Sequence, residues 1–241
     1  MNSSTALQTG WIERLPQERL LAEVSLWSAD LGRLADEIAR VDVYTDLYHI
    51  DVADGHFSPG LLFFPDLVAC ARRLSEKPLH VHLMATDDIL LDQIRQFADA
   101  GADVVTVHAE NGNVDEALAL ISDLRLQAGL VLQLHTPVAA AGRHLDRISL
   151  LTLLGTRIGV KGQGLDPQAE PRLREARDMI ESIPAGREHR VLLAADGGIR
   201  EHTVPSLYSA GADTIVMGSL AFGAQDLQAR MAWVRALKRN E

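Results

Sequence analysis

What most constrains this chain is a rhythm. Between Leu20 and Lys238 an apolar run of strand length gives way to a helix-period stretch eight times, at a spacing of about 25 to 30 residues, the repeat of a closed parallel barrel. The runs begin at Leu21, Leu47, Leu79, Asp103, Leu130, Ser149, Arg190 and Asp213. Helices are expected between them. One enters at Ser28-Ala-Asp30, one runs from Pro65 to Leu74, one ends at Ala100, and one runs from about Val114 to Gln127 with Gly129 as its stop. A short helix ends by Leu145, others end before Pro184 and at Ala210, and the last runs from Ser219 to about Lys238. The phrases Ala100-Gly-Ala-Asp103 and Ala210-Gly-Ala-Asp213 each stop a helix with glycine just before a strand. The expected fold class is α/β: a single (β/α)8 TIM barrel over 21–241, preceded by a short N-terminal extension, 1–20, that lies outside the repeat.

The second run, Leu47-Tyr-His-Ile-Asp-Val-Ala-Asp-Gly-His56, carries an unusual pair. Alternate side chains of a strand share a face, so His49 and Asp51 project together. Burying either without a partner costs several kcal/mol, on the order of 2–7 for a polar group. A metal ion satisfies both. His80, His82 and Met84 alternate in the third run, and Asp196 ends the seventh just before Gly197 and Gly198. In a barrel the reactive groups lie at the strand ends of one face, and His49, Asp51, His82 and Asp196 fall there. Two imidazoles and two carboxylates suit zinc first, and also iron(II), manganese or cobalt. His80 sits one pleat nearer the strand start, below that layer; His108 and His135 end other strands and are left out of the set. Gly197, Gly198, Gly218 and Ser219 follow the seventh and eighth strands, where barrels form a phosphate cup from backbone N–H groups.

Composition narrows the classes. No run of about 18 apolar residues exists, so no membrane span is expected. The first ten residues have neither a basic region nor an apolar core, so no signal peptide is expected. A formal net charge of -10 argues against nucleic acid and anionic lipid as partners. Cys70 stands alone, which excludes an intrachain disulfide and fits a reducing, cytoplasmic setting.

The phrase His49-Ile-Asp-Val-Ala-Asp-Gly-His-Phe-Ser-Pro59, with Val81-His-Leu-Met84, Gly101-Ala-Asp-Val-Val-Thr-Val-His108, Asp196-Gly-Gly-Ile199 and Met217-Gly-Ser219, resembles the ribulose-phosphate 3-epimerase family from about Leu20 onward. The resemblance implies that His49, Asp51, His82 and Asp196 are metal ligands and that Asp51 and Asp196 are also the acid/base pair. It implies substrate contacts from Ser28 and Met84, and a homo-oligomer. The implied reaction is epimerisation of a phosphorylated ketose, by default D-ribulose 5-phosphate to D-xylulose 5-phosphate, through a metal-stabilised enediolate. It needs one divalent metal ion and no organic cofactor.

Two places depart from the family pattern. Ala53 stands where the family has a pocket methionine, and the loop Gly155-Thr-Arg-Ile-Gly-Val-Lys-Gly-Gln-Gly164 replaces an asparagine-proline-glycine-phenylalanine-glycine-glycine type of lid. Gly162 and Gly164 retain the means to wrap a phosphate, while Arg157 and Lys161 are additions. Retained ligands with altered walls leave open another ketose phosphate, such as allulose 6-phosphate or a branched or shorter sugar. A decarboxylase of the orotidine-phosphate type needs a lysine that Asp51-Val-Ala-Asp54 lacks. A non-catalytic sugar-phosphate-binding barrel predicts no bound metal.

Overall fold

The computed structural model describes residues 10–183 and 190–239; the first nine residues of the expected extension lie outside the described residues. Strand β1 (Leu21–Ser25) leads through a 3-10 turn, capped by the Asp30 carboxylate accepting from the Gly32 N–H at 3.0 Å, into α1 (Leu34–Val41). β2 (Leu47–Asp54) is followed by β3 (Leu61–Leu62), which folds back antiparallel on Ala53 and Asp54, and by α2 (Pro65–Leu74). Then come β4 (Leu79–Met84), α3 (Asp87–Asp99), β5 (Val104–His108), α4 (Val114–Asp123), β6 (Gln127–Leu132), β7 (Leu150–Leu154) and α5 (Ala169–Glu181). The chain continues through β8 (Leu192–Asp196), α6 (Val204–Ser209), β9 (Thr214–Met217), α7 (Ser219–Phe222) and α8 (Leu227–Ala236).

Setting β3 aside, eight parallel strands close on themselves, because β1 pairs with both β2 and β9. This is the expected TIM barrel, and closure leaves its strands no open edge. Three helical boundaries differ from expectation. α4 stops at Asp123, and Gln127 to Gly129 already belong to β6. The left-handed residue just past the helix end is Arg125, φ 61°, rather than a glycine. Gly129 instead serves the barrel interior, where a Cβ would lie 2.4 Å from the Thr106 Cγ2 and 2.8 Å from the Leu150 carbonyl oxygen. The segment after β6 is 3-10, Val138–His144, and the last expected helix is divided into α7 and α8.

Each of the eight barrel strands has two buried faces. On β1 the outward residues Ala22 and Val24 join the large core between barrel and helices, while Leu21 joins a floor inside the barrel. That floor is Leu21, Val104, Leu150, Leu192 and Ala194, sealed from below by Trp11 and Ile12. Above it the interior turns polar: Glu23, His49, His80, Thr106, Thr152 and Thr214 are all fully buried. Titratable and hydroxyl side chains here take much of the space that branched apolar residues usually fill in such barrels.

The strand starts are tied together by carboxylates. Asp103 accepts from the Leu79 N–H at 2.8 Å and from the Arg72 guanidinium at 2.8 Å. Asp213 does the same with the Leu193 N–H at 2.9 Å and Arg177 at 2.6 Å. Asp46 joins the Ala22 N–H at 2.9 Å to Arg19 at 2.8 Å. The repeated Ala-Gly-Ala-Asp phrase therefore stops a helix at left-handed Gly101 or Gly211 (φ 98° and 111°) and rivets the next strand to its neighbour.

Candidate metal centre

The cluster of candidate ligands follows from strand register. β2 and β4 pair in parallel with His49 beside His80 and Asp51 beside His82. Because side chains alternate, this one pairing stacks two inward layers: His49 and His80 below, Asp51 and His82 above. Asp196 enters from the end of β8. The His49 Nε2 lies 3.1 Å from Asp51 Oδ1 and 3.9 Å from Asp196 Oδ2; the His82 Nδ1 lies 3.2 Å and 3.8 Å from the same oxygens. Donor atoms of all four residues fall within 4.8 Å of one another. Ligands about 2.1 Å from a tetrahedral ion stand roughly 3.4 Å apart, and the four separations bracket that value. The residues therefore fit a divalent cation.

Electrostatics agree with this. Burial alone would raise the Asp51 carboxyl, but the His49 and His82 rings hold it far below the usual carboxylate range. Burial also opposes charge on His49, yet Asp51 and Glu23 outweigh it and raise its pKa well above the ordinary imidazole value. Burial, with Asp51 close by, pushes Asp196 up to about 6. Without a cation the cluster thus retains protons that an ion would replace.

Above the cluster lies a cavity of about 280 Å³. Of the residues expected to touch substrate, Ser28, Met84, Gly162, Gly197, Gly198, Gly218 and Ser219 line it, with Asp51, His82 and Asp196 at its base. Gly164 is not among the lining residues, and a Cβ there would meet open space. Gly218 is required by closeness, since its Cβ would stand 2.5 Å from the Ser28 Oγ. The 155–164 loop forms the roof. Its Lys161 Nζ sits 4.6 Å from the centroid of the Trp27 ring and donates to the Trp27 carbonyl. Gly159 (φ 68°) packs so tightly on Ser58 that a side chain would collide with the hydroxyl.

The ribulose-phosphate 3 epimerase family model matches residues 21–222. Ribulose-phosphate 3-epimerase 1 of Cupriavidus necator is 35% identical over 225 residues, covering 92% of this chain and 91% of that one. The ribulose-phosphate 3-epimerase of Bacillus subtilis is 34% identical, covering 89% and 97%. The chain belongs to the ribulose-phosphate 3-epimerase family. Among solved structures, 3-hexulose-6-phosphate synthase from Salmonella typhimurium (TM-score 0.64, 16% identity, 89% of this chain and 96% of that one) shares the fold. So does orotidine 5'-phosphate decarboxylase from Pyrococcus horikoshii (0.62, 15%, 89% and 97%).

In this epimerase-family chain both histidines of the cluster, His49 and His82, are braced from behind by residues that sequence reasoning did not assign. The Glu23 Oε1 lies 2.7 Å from the His49 Nδ1 and 2.5 Å from the His80 Nδ1. Burial opposes its charge, but the His80 and His49 rings bring the Glu23 pKa down to about 2. The His82 Nε2 meets the His108 Nε2 at 2.9 Å, and the His108 Nδ1 meets Glu110 Oε2 at 3.0 Å. Glu110 in turn accepts from the Gln133 N–H and the Thr136 hydroxyl. Burial lowers both His80 and His108 to about 4, so both rings are neutral near pH 7. Ser25 donates to the second Asp51 oxygen at 3.0 Å. The one signal available beforehand was a carboxylate, Glu23, in an otherwise apolar strand and in phase with Ser25.

Proposed function

We propose that this chain is a metal-dependent 3-epimerase of a phosphorylated ketose, with D-ribulose 5-phosphate and D-xylulose 5-phosphate as the default pair. The observation that carries the reading is the convergence of His49, Asp51, His82 and Asp196 from three strands, at the base of a cavity sized for a small sugar phosphate. Relatives named ribulose-phosphate 3-epimerase support the substrate class.

Those four residues would hold a divalent ion, zinc first among zinc, iron(II), manganese and cobalt, which would supply positive charge to stabilise negative charge developing on the sugar. Inverting the carbinol carbon next to the ketone means removing a proton from one face and returning one to the other. Asp51 and Asp196 are suited to this, because β2 and β8 stand three strand positions apart round the barrel. Their environments also separate them. In the metal-free cluster Asp51 is held ionised by its histidine neighbours, whereas burial raises Asp196 to about 6. The phosphate rests on backbone N–H groups of Gly197, Gly198, Gly218 and Ser219, with Ser28 and Met84 flanking the sugar and Gly162 in the roof. No organic cofactor is needed.

Incubation with ribulose 5-phosphate in D2O tests this. The expected result is xylulose 5-phosphate carrying deuterium at C3, with Asp51→Asn and Asp196→Asn each folded but slower by about 100- to 10,000-fold. Full turnover in either variant contradicts the assignment. The added Arg157 and Lys161 at the cavity favour a second reading, the same chemistry on another ketose phosphate. Turnover confined to a non-pentulose in a panel of ketose phosphates would replace the default.

A further inference from the structure

We infer that Glu23 is a positioning residue for the metal: from beneath the site it fixes His49 with its Nε2 lone pair turned to the ion, and His80 holds Glu23 in place. The inference rests on the metal reading above.

Glu23 is a fully buried carboxylate inside a barrel, in the layer below the ligands. The desolvation of the carboxylate must be offset for it to stay there as an ion. Its Oε1 accepts from the Nδ1–H of His49 and the Nδ1–H of His80, and its Oε2 lies 3.4 Å from the Thr214 hydroxyl. A neutral imidazole carries one proton, so donating from Nδ1 leaves the only lone pair on Nε2. That nitrogen faces Asp51 and Asp196. The Thr106 hydroxyl, 2.8 Å from the His80 Nε2, completes the chain by donating there and keeping the His80 proton on Nδ1, toward Glu23. A carboxylate behind a ligand imidazole raises its basicity and fixes its orientation.

Glu23, His49 and His80 could themselves be taken for a second ion site, since their donor atoms also cluster within 4.8 Å. Two features argue otherwise. The contacts of 2.5 Å and 2.7 Å are hydrogen-bond lengths, shorter than the roughly 3 Å or more between ligands sharing one ion. Neither Glu23 nor His80 lines the cavity through which an ion would enter.

The test measures zinc affinity by chelator competition and zinc stoichiometry by elemental analysis, on the full chain. Glu23→Gln keeps the shape and removes the charge; zinc affinity is expected to fall about 10- to 100-fold, with one ion per chain in the wild type. Thr152→Val is the control, since it removes polarity from the same layer at a hydroxyl that has no partner among the described residues; its affinity should match wild type. Equal affinity in Glu23→Gln and wild type overturns the inference while leaving the metal reading intact. Two ions per wild-type chain overturn it in favour of a second site, and none at all sinks the metal reading with it. Should Glu23→Gln fail to fold, nitrogen-15 spectra of the zinc-loaded wild type decide the matter: His49 must carry its proton on Nδ1, and a proton on Nε2 refutes the inference.

Discussion

Replacing Gly129 by alanine strikes the barrel where it has least room, and the cost can be worked from contacts. The new Cβ would lie 2.4 Å from the Thr106 Cγ2, 2.8 Å from the Leu150 carbonyl oxygen and 3.1 Å from the Leu150 Cβ. Ordinary carbon contacts need about 3.5–4.0 Å, so more than an ångström must open. The neighbours cannot move apart freely, because Gly129 is registered with Thr106 on one side and Leu150 on the other. Rotating Thr106 withdraws its methyl but breaks the hydroxyl contact with His80. Overpacking costs about 1–3 kcal/mol and the lost hydrogen bond about 1 more. Stiffening of the unfolded chain by alanine returns only roughly 0.4–1 kcal/mol, too little to reverse the sign. At roughly 2–4 °C per kcal/mol for a chain of this size, the net loss of about 1–3.6 kcal/mol should make Gly129→Ala melt about 2–14 °C below wild type by circular dichroism. Thr106→Ser keeps the hydroxyl and deletes the clashing methyl, so it should recover about 1 kcal/mol in the double variant. A Gly129→Ala protein that melts with wild type, or strict additivity with Thr106→Ser, would refute the reasoning.

Other perturbations separate the floor, the ligands and the roof. Trp11→Ala empties the seal under Leu21, Leu150 and Leu192; a loss of about 3–5 kcal/mol is expected in denaturant titration, with turnover of the folded fraction unchanged, and a loss below about 1 kcal/mol would contradict the packing. The raised pKa of His49, set by Asp51 and Glu23 against burial, fixes a pH dependence. In the metal-free protein its stabilising charge is fully present below the unfolded value near 6.5 and is lost as pH rises through the folded pKa. Because an ion must displace that proton, the melting-temperature gain on adding zinc should grow between about pH 6 and pH 8, and a constant gain by thermal shift would count against it. Lys161→Gln removes the cation over the Trp27 ring. At about 0.5–1 kcal/mol for an exposed contact, KM should rise roughly two- to five-fold with kcat little changed, whereas a fall in kcat alone would place Lys161 in the chemistry instead.

The fold and the four converging side chains were legible because both depend on period. A carboxylate and an imidazole two apart on a strand point the same way whatever surrounds them, and β2 beside β4 in register does the rest. What lay beyond reach depended on partners from distant strands. Glu23 reads as a lone acid in an apolar run until β1 is placed beside β2, which sets Ser25 against His49 and turns Glu23 under the same ring. His108 reads as a strand end until Glu110 and His82 are found at its two nitrogens. Gly129 was misread as a helix stop because its real constraint, the Thr106 methyl across the barrel wall, is separated from it by more than twenty positions in the chain. Arg125, an unusual residue for a left-handed turn, gave no warning that the helix ended earlier.

The rivets at Asp46, Asp103 and Asp213 all sit at strand starts, while the Trp27–Lys161 clasp sits at strand ends. The ties that close the barrel and the loop that roofs the cavity therefore stand at opposite poles of the same eight strands. The upper loops can change without loosening the frame beneath them, and a designer could exchange 155–164 as a cassette on the same terms.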